Sequence, residues 1–455
     1  MKNYTLFVAM FFAILKCLGQ PVSEGMQTSG KNDTNRKWTF HFQQSMVNQW
    51  HERTHFAYQG PSSLDSIAET RLSMTTTMFI GRKLWNNGAI YFSPEVTAGN
   101  GLSFTHGIAG FTNGEIYRVG NPNPTPFIAR FYYQQSFALV GSEYENREDG
   151  INQIAAHVPT SRITINIGKF CLADFFDGNT YNHDARTQFL NWSMMAQGAW
   201  DFPADTRGYT SGIEIELVKP KWSLQYAFVQ MSKFANALDM DWDLAQSNGQ
   251  TIEYDRKVSI KNHPGVIRCD VFMNSCTAPK YADAVKQLKA GNDTGLAQVF
   301  FSAKMGPAYG GIKYGFGVNI EQEITNNIGM FFRYSWNDGK TASWEFTDID
   351  ESVQLGTNLS GKIWNRPTDN IGVAEVINGI SKDHQDFLAA GGYTFIIGDG
   401  KLNYGREIIT EAYYKSKINK FLSISFDYQL VFNPGYNKDR QGPISVPGLR
   451  IHVEF

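Results

Sequence analysis

The chain has 455 residues, a formal charge of −2, and 42% hydrophobic and 14% aromatic residues. A mean hydropathy of −0.33 excludes a polytopic helical membrane protein, which needs several apolar runs of roughly 20 residues. The near-neutral charge argues against nucleic acid, which would favour a basic face. Membrane barrels pass this filter, because their strands need only alternate and their interiors are polar.

The amino terminus reads as a signal peptide over residues 1–19: Lys2, a mainly apolar run from Tyr4 to Leu15, then Cys17-Leu18-Gly19 before Gln20. The run is too short to span a membrane and ends on a small residue. Residues 20–37 are polar and unpatterned, and are expected to form a flexible periplasmic tail. The strand pattern begins at Trp38-Thr39-Phe40-His41-Phe42 and continues over Arg71–Ile80 and Ala89–Thr97. Gly99 to Pro126, with Asn121-Pro122-Asn123-Pro124, is too rich in Gly and Pro for regular structure and predicts a long loop.

Further strands are predicted over Phe127–Phe137, Arg162–Phe170, Tyr209–Val218, Trp222–Met231, Thr251–Ile260 and Val266–Asn274. Later ones cover Lys313–Ile324, Ile328–Asn337, Ser352–Leu359, Phe387–Ile397, Glu407–Lys415, Phe421–Phe432 and Leu449–Phe455. Alternation is plain where Ile163, Ile165 and Ile167 interleave with Arg162, Thr164 and Asn166. Period two puts one set on each face of a strand. Tyr281 to Ala290 has good helix formers and stops before Gly291, and the long aromatic insert Asp177 to Asp205 has room for partial helix. Short links such as Lys219-Pro220-Lys221 and Thr325-Asn326-Asn327 alternate with long inserts.

Without the leader, Cys171, Cys269 and Cys276 remain, an odd number that cannot pair fully within one chain. Pairing of Cys269 with Cys276 across a turn stays open beside isolated thiols. No Cys/His spacing suggests a metal, and no cofactor is expected.

A soluble all-β sandwich would show the same alternation. The leader, the aromatic strand ends (Trp38, Trp222, Tyr334, Trp336, Tyr413, Tyr414) and the apolar face recurring on strand after strand favour a barrel whose outer solvent is itself apolar. The last strand ends on Phe455, and an aromatic carboxyl terminus is similar to an assembly signal of outer-membrane barrels. Leu449, Ile451, Val453 and Phe455 should then meet lipid, with the strand closing the barrel against the one near Trp38.

Specific stretches add to this. Gly168-Lys169-Phe170, Asp174-Phe175-Phe176-Asp177, Tyr181-Asn182-His183-Asp184, Arg186 to Trp192 and Gly198 to Tyr209 resemble the carbohydrate-selective porin family of the OprB type. So do Lys313 to Gly317, Trp336 to Lys340, Ala389 to Tyr393, Gly398-Asp399-Gly400, Glu411 to Tyr414 and Asn433 to Asn437, in the family's order. Cys171 and Gln441 are local departures. The resemblance implies one transmembrane antiparallel β-barrel of about sixteen strands over residues 38–455, with long loops folding into or over the lumen. It also implies passive uptake of mono- or oligosaccharides across the bacterial outer membrane. The implied partners are sugar, outer-membrane lipid and the barrel assembly machinery, which would engage the C-terminal strand.

A sugar pore needs groups that replace water hydrogen bonds yet bind weakly enough to release. By alternation the lumen-facing candidates are Arg130, Glu214, Glu216, Arg268, Asp270, Asn319, Glu321, Glu323, Arg333, Glu411, Arg450 and Glu454. Charged lumen residues more often solvate the wall or pair across strands. The stretch from Asp177 to Arg207 is the better constriction candidate, because Asp184, Arg186, Trp192, Trp200, Asp201 and Arg207 mix charge with indole in a segment too long for a turn. Trp200→Ala or Arg207→Ala is expected to change flux more than stability. A non-selective general porin and a β-barrel enzyme acting on glycans or lipids are the alternatives. Two carboxylates could hydrolyse a glycosidic bond, but no local acid pair, Gly-x-Ser-x-Gly elbow or metal triad stands out, and no enzyme is expected.

Overall fold

The computed structural model describes residues 34, 36–116, 123–292, 294–440 and 442–455. The leader expected over 1–19 lies outside them, as do Pro122, Gln441 and all of 20–37 except 34, 36 and 37.

Among the described residues, sixteen antiparallel strands close into one barrel. They are β1 (Trp38–His51), β2 (Glu69–Trp85), β3 (Gly88–Gly99), β4 (Thr125–Ala138), β7 (Arg162–Phe170), β8 (Thr210–Lys219), β9 (Trp222–Gln230) and β10 (Asn248–Ile260). Then follow β11 (His263–Cys276), β12 (Gly311–Thr325), β13 (Ile328–Asn337), β14 (Glu351–Ser360), β15 (Asn370–Gly379), β16 (Glu407–Lys417), β17 (Leu422–Phe432) and β18 (Ile444–Glu454). A separate hairpin of β5 (Tyr144–Arg147) and β6 (Ala156–Pro159) stands outside the barrel sheet. Closure leaves no strand edge unpaired, the only way a sheet can cross hydrocarbon.

One rim is built from tight links, residues 86–87, 220–221, 261–262 and 326–327. Lys261 and Asn262 both take positive φ, the two-residue turn whose twist matches the flanking strands. The opposite rim carries long segments, among them 171–209, 277–310 and 380–406. Aromatic pairs mark both ends of the apolar band: Trp85 with Tyr133 and Trp222 with Tyr254 near the tight links, Tyr314 with Trp336 near the long ones. Such girdles sit at the two membrane interfaces.

The seam joins β18 to β1, with Gln43 opposite Glu454 and Ser45 opposite His452. Inside the wall, Ser45 Oγ lies 2.9 Å from His452 Nδ1. The last residue locks the join: Phe42 and Phe455 exchange backbone hydrogen bonds of 2.8 and 3.0 Å, and their rings stack at 5.0 Å. Leu449 and Ile451 face outward and Arg450 and His452 are buried in the wall, as the alternation requires.

Two expectations are corrected. The strand predicted over Phe387–Ile397 does not form. Lys382–Ala389 is a helix capped by Ser381, whose hydroxyl accepts from the His384 amide at 3.1 Å. Phe387, Phe395, Ile396 and Ile397 are buried together in a core between long segments, so they are apolar without being a lipid face. The missing sixteenth strand is β15. Its outward positions include Glu375 and its inward ones Gly372, Ala374 and Val376, which erases the usual contrast. The helix expected over Tyr281–Ala290 forms over Tyr281–Lys289 and packs its Tyr281 ring 4.3 Å from His384. Cys171, Cys269 and Cys276 are free thiols, Cys269 exposed and Cys276 buried.

Candidate functional site

Residues 171–209, between β7 and β8, fold into the lumen instead of away from the rim. Two short turns of it are helical, a 3-10 turn at Leu172–Asp174 and an α-helical one at Trp192–Met195. Irregular backbone at membrane depth must find partners inside the protein, and here the wall supplies them. Glu411 of β16 accepts from the amides of Leu190 (2.6 Å) and Asn191 (2.9 Å). Glu253 of β10 accepts from the Asp177 amide at 2.8 Å, and Glu321 of β12 from the Thr180 amide. Gln354 of β14 donates to the Ala196 carbonyl at 2.7 Å, and Asn337 of β13 to that of Ala199 at 3.0 Å.

Arg333 of β13 is the densest of these anchors. Its guanidinium donates to Asp177 Oδ1 at 2.9 Å and to the carbonyls of Asp177, Met194 and Asn182 at 3.2, 3.1 and 2.7 Å. It is 0% exposed. Arg450 of β18, also 0% exposed, donates to the Ala185 carbonyl and, at 3.1 Å, to Asp427. Within the segment, the Asp201 carboxylate receives the amides of Trp344, Glu345 and Phe346 at 2.9, 3.1 and 3.0 Å, with Lys313 Nζ at 3.3 Å. It thereby ties 171–209 to the neighbouring segment 338–350. Hydrogen bonds with one charged partner contribute about 1.5–3 kcal/mol each, and these groups are spread along the whole insert.

A second segment is held the same way. Glu407 of β16 accepts from the amides of Ala109 (3.0 Å), Gly110 (2.7 Å) and Gly435 (2.9 Å). This brings residues 109–116 across to meet 171–209.

Where the two segments and the wall converge lies a cavity of about 150 Å³. Glu95, Glu115, Arg186, Trp192, Arg207 and Tyr209 line it. Arg186 donates to Glu115 at 2.8 Å and Glu95 at 3.3 Å, and to Gln43 of β1 at 2.8 Å. The Tyr209 hydroxyl donates to Glu95 at 3.1 Å. Trp192 stacks on Phe111 at 5.2 Å and packs on Phe346 at 5.4 Å. The Arg207 guanidinium lies 4.2 Å over the Phe127 ring. Burial pushes the Glu115 carboxyl up to about 7, against the pull of Arg186. The Arg186 guanidinium and hydrogen bonds from the segment instead hold Asp184 below the usual carboxylate range, although burial opposes them.

Of the sequence candidates, Arg186, Trp192 and Arg207 are thus brought together. Asp184 sits beside them, its Oδ1 accepting from the Arg186 amide at 3.0 Å. Arg130 lies 5.2 Å over the Tyr209 ring and forms a two-pronged bond to Asp174 at 2.7 and 2.6 Å. Trp200 is 1% exposed and packs on Phe202 and Phe176 at 5.1 and 6.2 Å; it stands behind Phe202, which lines the cavity, and does not line it itself. Asp201, Arg333 and Arg450 hold the segments. Glu214 bonds Asn166 at 2.6 Å on the wall, Glu216 stands opposite Thr164, and Arg268 pairs with Glu321 at 3.3 Å.

Glu95, Glu115 and Tyr209 were not among the candidates. Glu95 shares the inward face of β3 with Tyr91, Ser93 and Thr97, so the alternation along that strand was a usable signal for it. Glu115 lies in the stretch set aside as loop, yet it is the only acid between Gly99 and Pro126, which was a usable signal.

The titration of Glu115 has a measurable consequence. Facing it are Arg186, Asp184 and Glu95. Lowering pH through about 7 protonates Glu115 and removes one negative charge while Arg186 stays positive. Reversal-potential measurements under a salt gradient are expected to shift toward anion preference between pH 8 and 6. In Glu115→Gln this part of the shift should be absent.

None of the curated proteins compared with this chain matches. The fold is similar to a high-pH structure of Pseudomonas putida OprB, with a TM-score of 0.68 at 15% identity over 92% of this chain and 94% of that one. It is also similar to the outer membrane channel DcaP of Acinetobacter baumannii, with a TM-score of 0.50 at 10% identity over 92% and 97%. The family model described as carbohydrate-selective porin, OprB family, matches residues 65–455, and with that match, on a closed sixteen-stranded barrel whose lumen is narrowed by its own segments, the chain belongs to the carbohydrate-selective porins of the bacterial outer membrane.

Proposed function

We propose that sugars cross this porin through the cavity between Arg186, Arg207, Glu95 and Glu115, and that these residues form its eyelet. The observation that carries this reading is the juxtaposition of donors and acceptors with aromatic faces at the convergence of both lumen segments. Guanidinium and carboxylate groups facing each other set up a transverse field, which suits neutral solutes carrying many hydroxyls. Trp192 and Tyr209 give the cavity aromatic walls for the C–H side of a sugar ring. The Arg186 bonds to Glu95, Glu115 and Gln43 are exchangeable for sugar hydroxyls at little net cost, so binding stays weak and release stays fast.

The same proposal includes the leader over 1–19 with the tail over 20–37, lipid contact by the outer strand faces, and engagement of the assembly machinery by β18 ending on Phe455. Arg207 gives the cleanest test. Its side chain packs on Phe127, a contact of about 0.5–1 kcal/mol at an exposed site. Arg207→Ala should therefore leave heat-modifiable migration unchanged while altering hexose entry in liposome swelling. Unchanged swelling would remove Arg207 from the path. Swelling that follows solute size alone in the wild type would favour a non-selective pore, and turnover of a glycan would favour an enzyme. Trp200→Ala is now expected to act on stability, because the ring fills an aromatic core: about 3–5 kcal/mol for a large buried aromatic.

A further inference from the structure

On the tight-link rim the connection 361–369 runs to nine residues, and 139–161 is far longer still. Residues 139–161 carry the β5–β6 hairpin, and part of it folds up into the barrel. Ile154, Ala155 and Val158 are buried, and the Ile154 amide donates to the Tyr91 hydroxyl of β3 at 3.4 Å. The tip reaches past β3 and β2 to β1. There Asp149 Oδ2 accepts from Arg36 at 2.9 Å and lies 3.4 Å from His41 Nε2 of β1. A connection that served only to reverse the chain would need two residues here, as its neighbours do.

Beside the tip lies a cavity of about 360 Å³, walled by His41, Gln43, Asp149, Ile151, Lys417 and Glu454. Lys417 Nζ pairs with Glu454 at 3.2 Å. Phe42, Phe421, Phe455, Gly150 and Lys420 also line it. Ammonium, carboxylate, amide and phenyl faces together repeat the chemistry of the eyelet. The two cavities also adjoin. Gln43 lines this one, Arg186 lines the eyelet, and the two side chains share a hydrogen bond of 2.8 Å.

The geometry points to this vestibule as a second sugar subsite, walled on one side by the hairpin tip and entered from the eyelet past Arg186 and Gln43. It rests on the reading of the eyelet as the sugar path. A sugar unit in the eyelet leaves its next unit facing the vestibule, so the pair of subsites would favour a disaccharide over a monosaccharide. Asp149 and Lys417 supply the acceptor and the donor at the exit.

Current block in planar bilayers tests this, with glucose and maltose as the probes. The wild type should be blocked by maltose at lower concentration than by glucose. Asp149→Asn combined with Lys417→Ala should weaken maltose block about fivefold, roughly the worth of one hydrogen bond, and leave glucose block nearly unchanged. Ile151→Trp, which keeps every polar group and fills the cavity, should weaken maltose block in the same selective way. Equal loss for both sugars, or no loss for either, overturns the subsite while leaving the eyelet standing. A wild-type current indifferent to both sugars overturns the eyelet reading and the subsite together.

Discussion

Arg333→Ala is expected to free residues 171–209 from the wall and turn a narrowed, selective channel into a wider one. Four hydrogen bonds to that segment originate from this one guanidinium. Its removal leaves the Asp177 carboxylate, 1% exposed, without its positive partner and near Glu253, which already binds the Asp177 amide. Breaking a buried pair in this manner costs about 3–5 kcal/mol. At about 1.4 kcal/mol per tenfold, that raises the undocked population by roughly two to four orders of magnitude. The barrel ladder itself is untouched, since the strand hydrogen bonds of β13 to β12 and β14 are backbone only. The variant should therefore still insert and migrate as a folded barrel, with higher and noisier single-channel conductance and new protease sensitivity within 171–209. An unchanged conductance would mean that the segment does not limit the channel.

Asp201→Ala should have a comparable effect by a different route. The amides of residues 344–346 and the Lys313 ammonium all converge on this carboxylate. Unpaired buried groups cost about 1–3 kcal/mol each, and Lys313 is only 3% exposed. Segment 338–350 should loosen, carrying Phe346 away from Trp192 and enlarging the eyelet. Two controls separate the contributions. Asp201→Asn keeps one acceptor oxygen and should lose less. Asp201→Ala made in a Lys313→Met background should also lose less than in the wild type, because no buried ammonium is orphaned. Thermal unfolding followed by gel mobility, with liposome swelling for sugar entry, reads both. Additive losses from the two substitutions would show that the groups do not act as a unit.

The fold was legible because a barrel wall is a local pattern. Ile163, Ile165 and Ile167 announce their strand without reference to any distant residue, and Leu449, Ile451 and Val453 do the same at the seam. It failed where local pattern and environment part company. Phe387 to Ile397 is apolar because it packs among long segments, and Glu375 on the outer face of β15 breaks a strand that the ladder nonetheless forms.

The site was legible by composition and not by role. The charged, indole-rich segment from Asp177 to Arg207 does enter the lumen, and Arg186, Trp192 and Arg207 do converge there. Nothing local distinguishes them from Arg333, Arg450 and Asp201, which are of the same residue types but grip backbone. That distinction depends on pairs such as Glu411 with Leu190 and Glu407 with Ala109, far apart in sequence. Only the closed barrel brings them together.

The central claim is that sugar passes between Arg186, Arg207, Glu95 and Glu115. Titrating the current through single channels with a neutral hexose, in the wild type and in Arg207→Ala, tests it most directly. The account predicts a saturable fall in wild-type current whose half-blocking concentration shifts in the variant. A wild-type current that ignores the hexose, or a block identical in the two proteins, would contradict it.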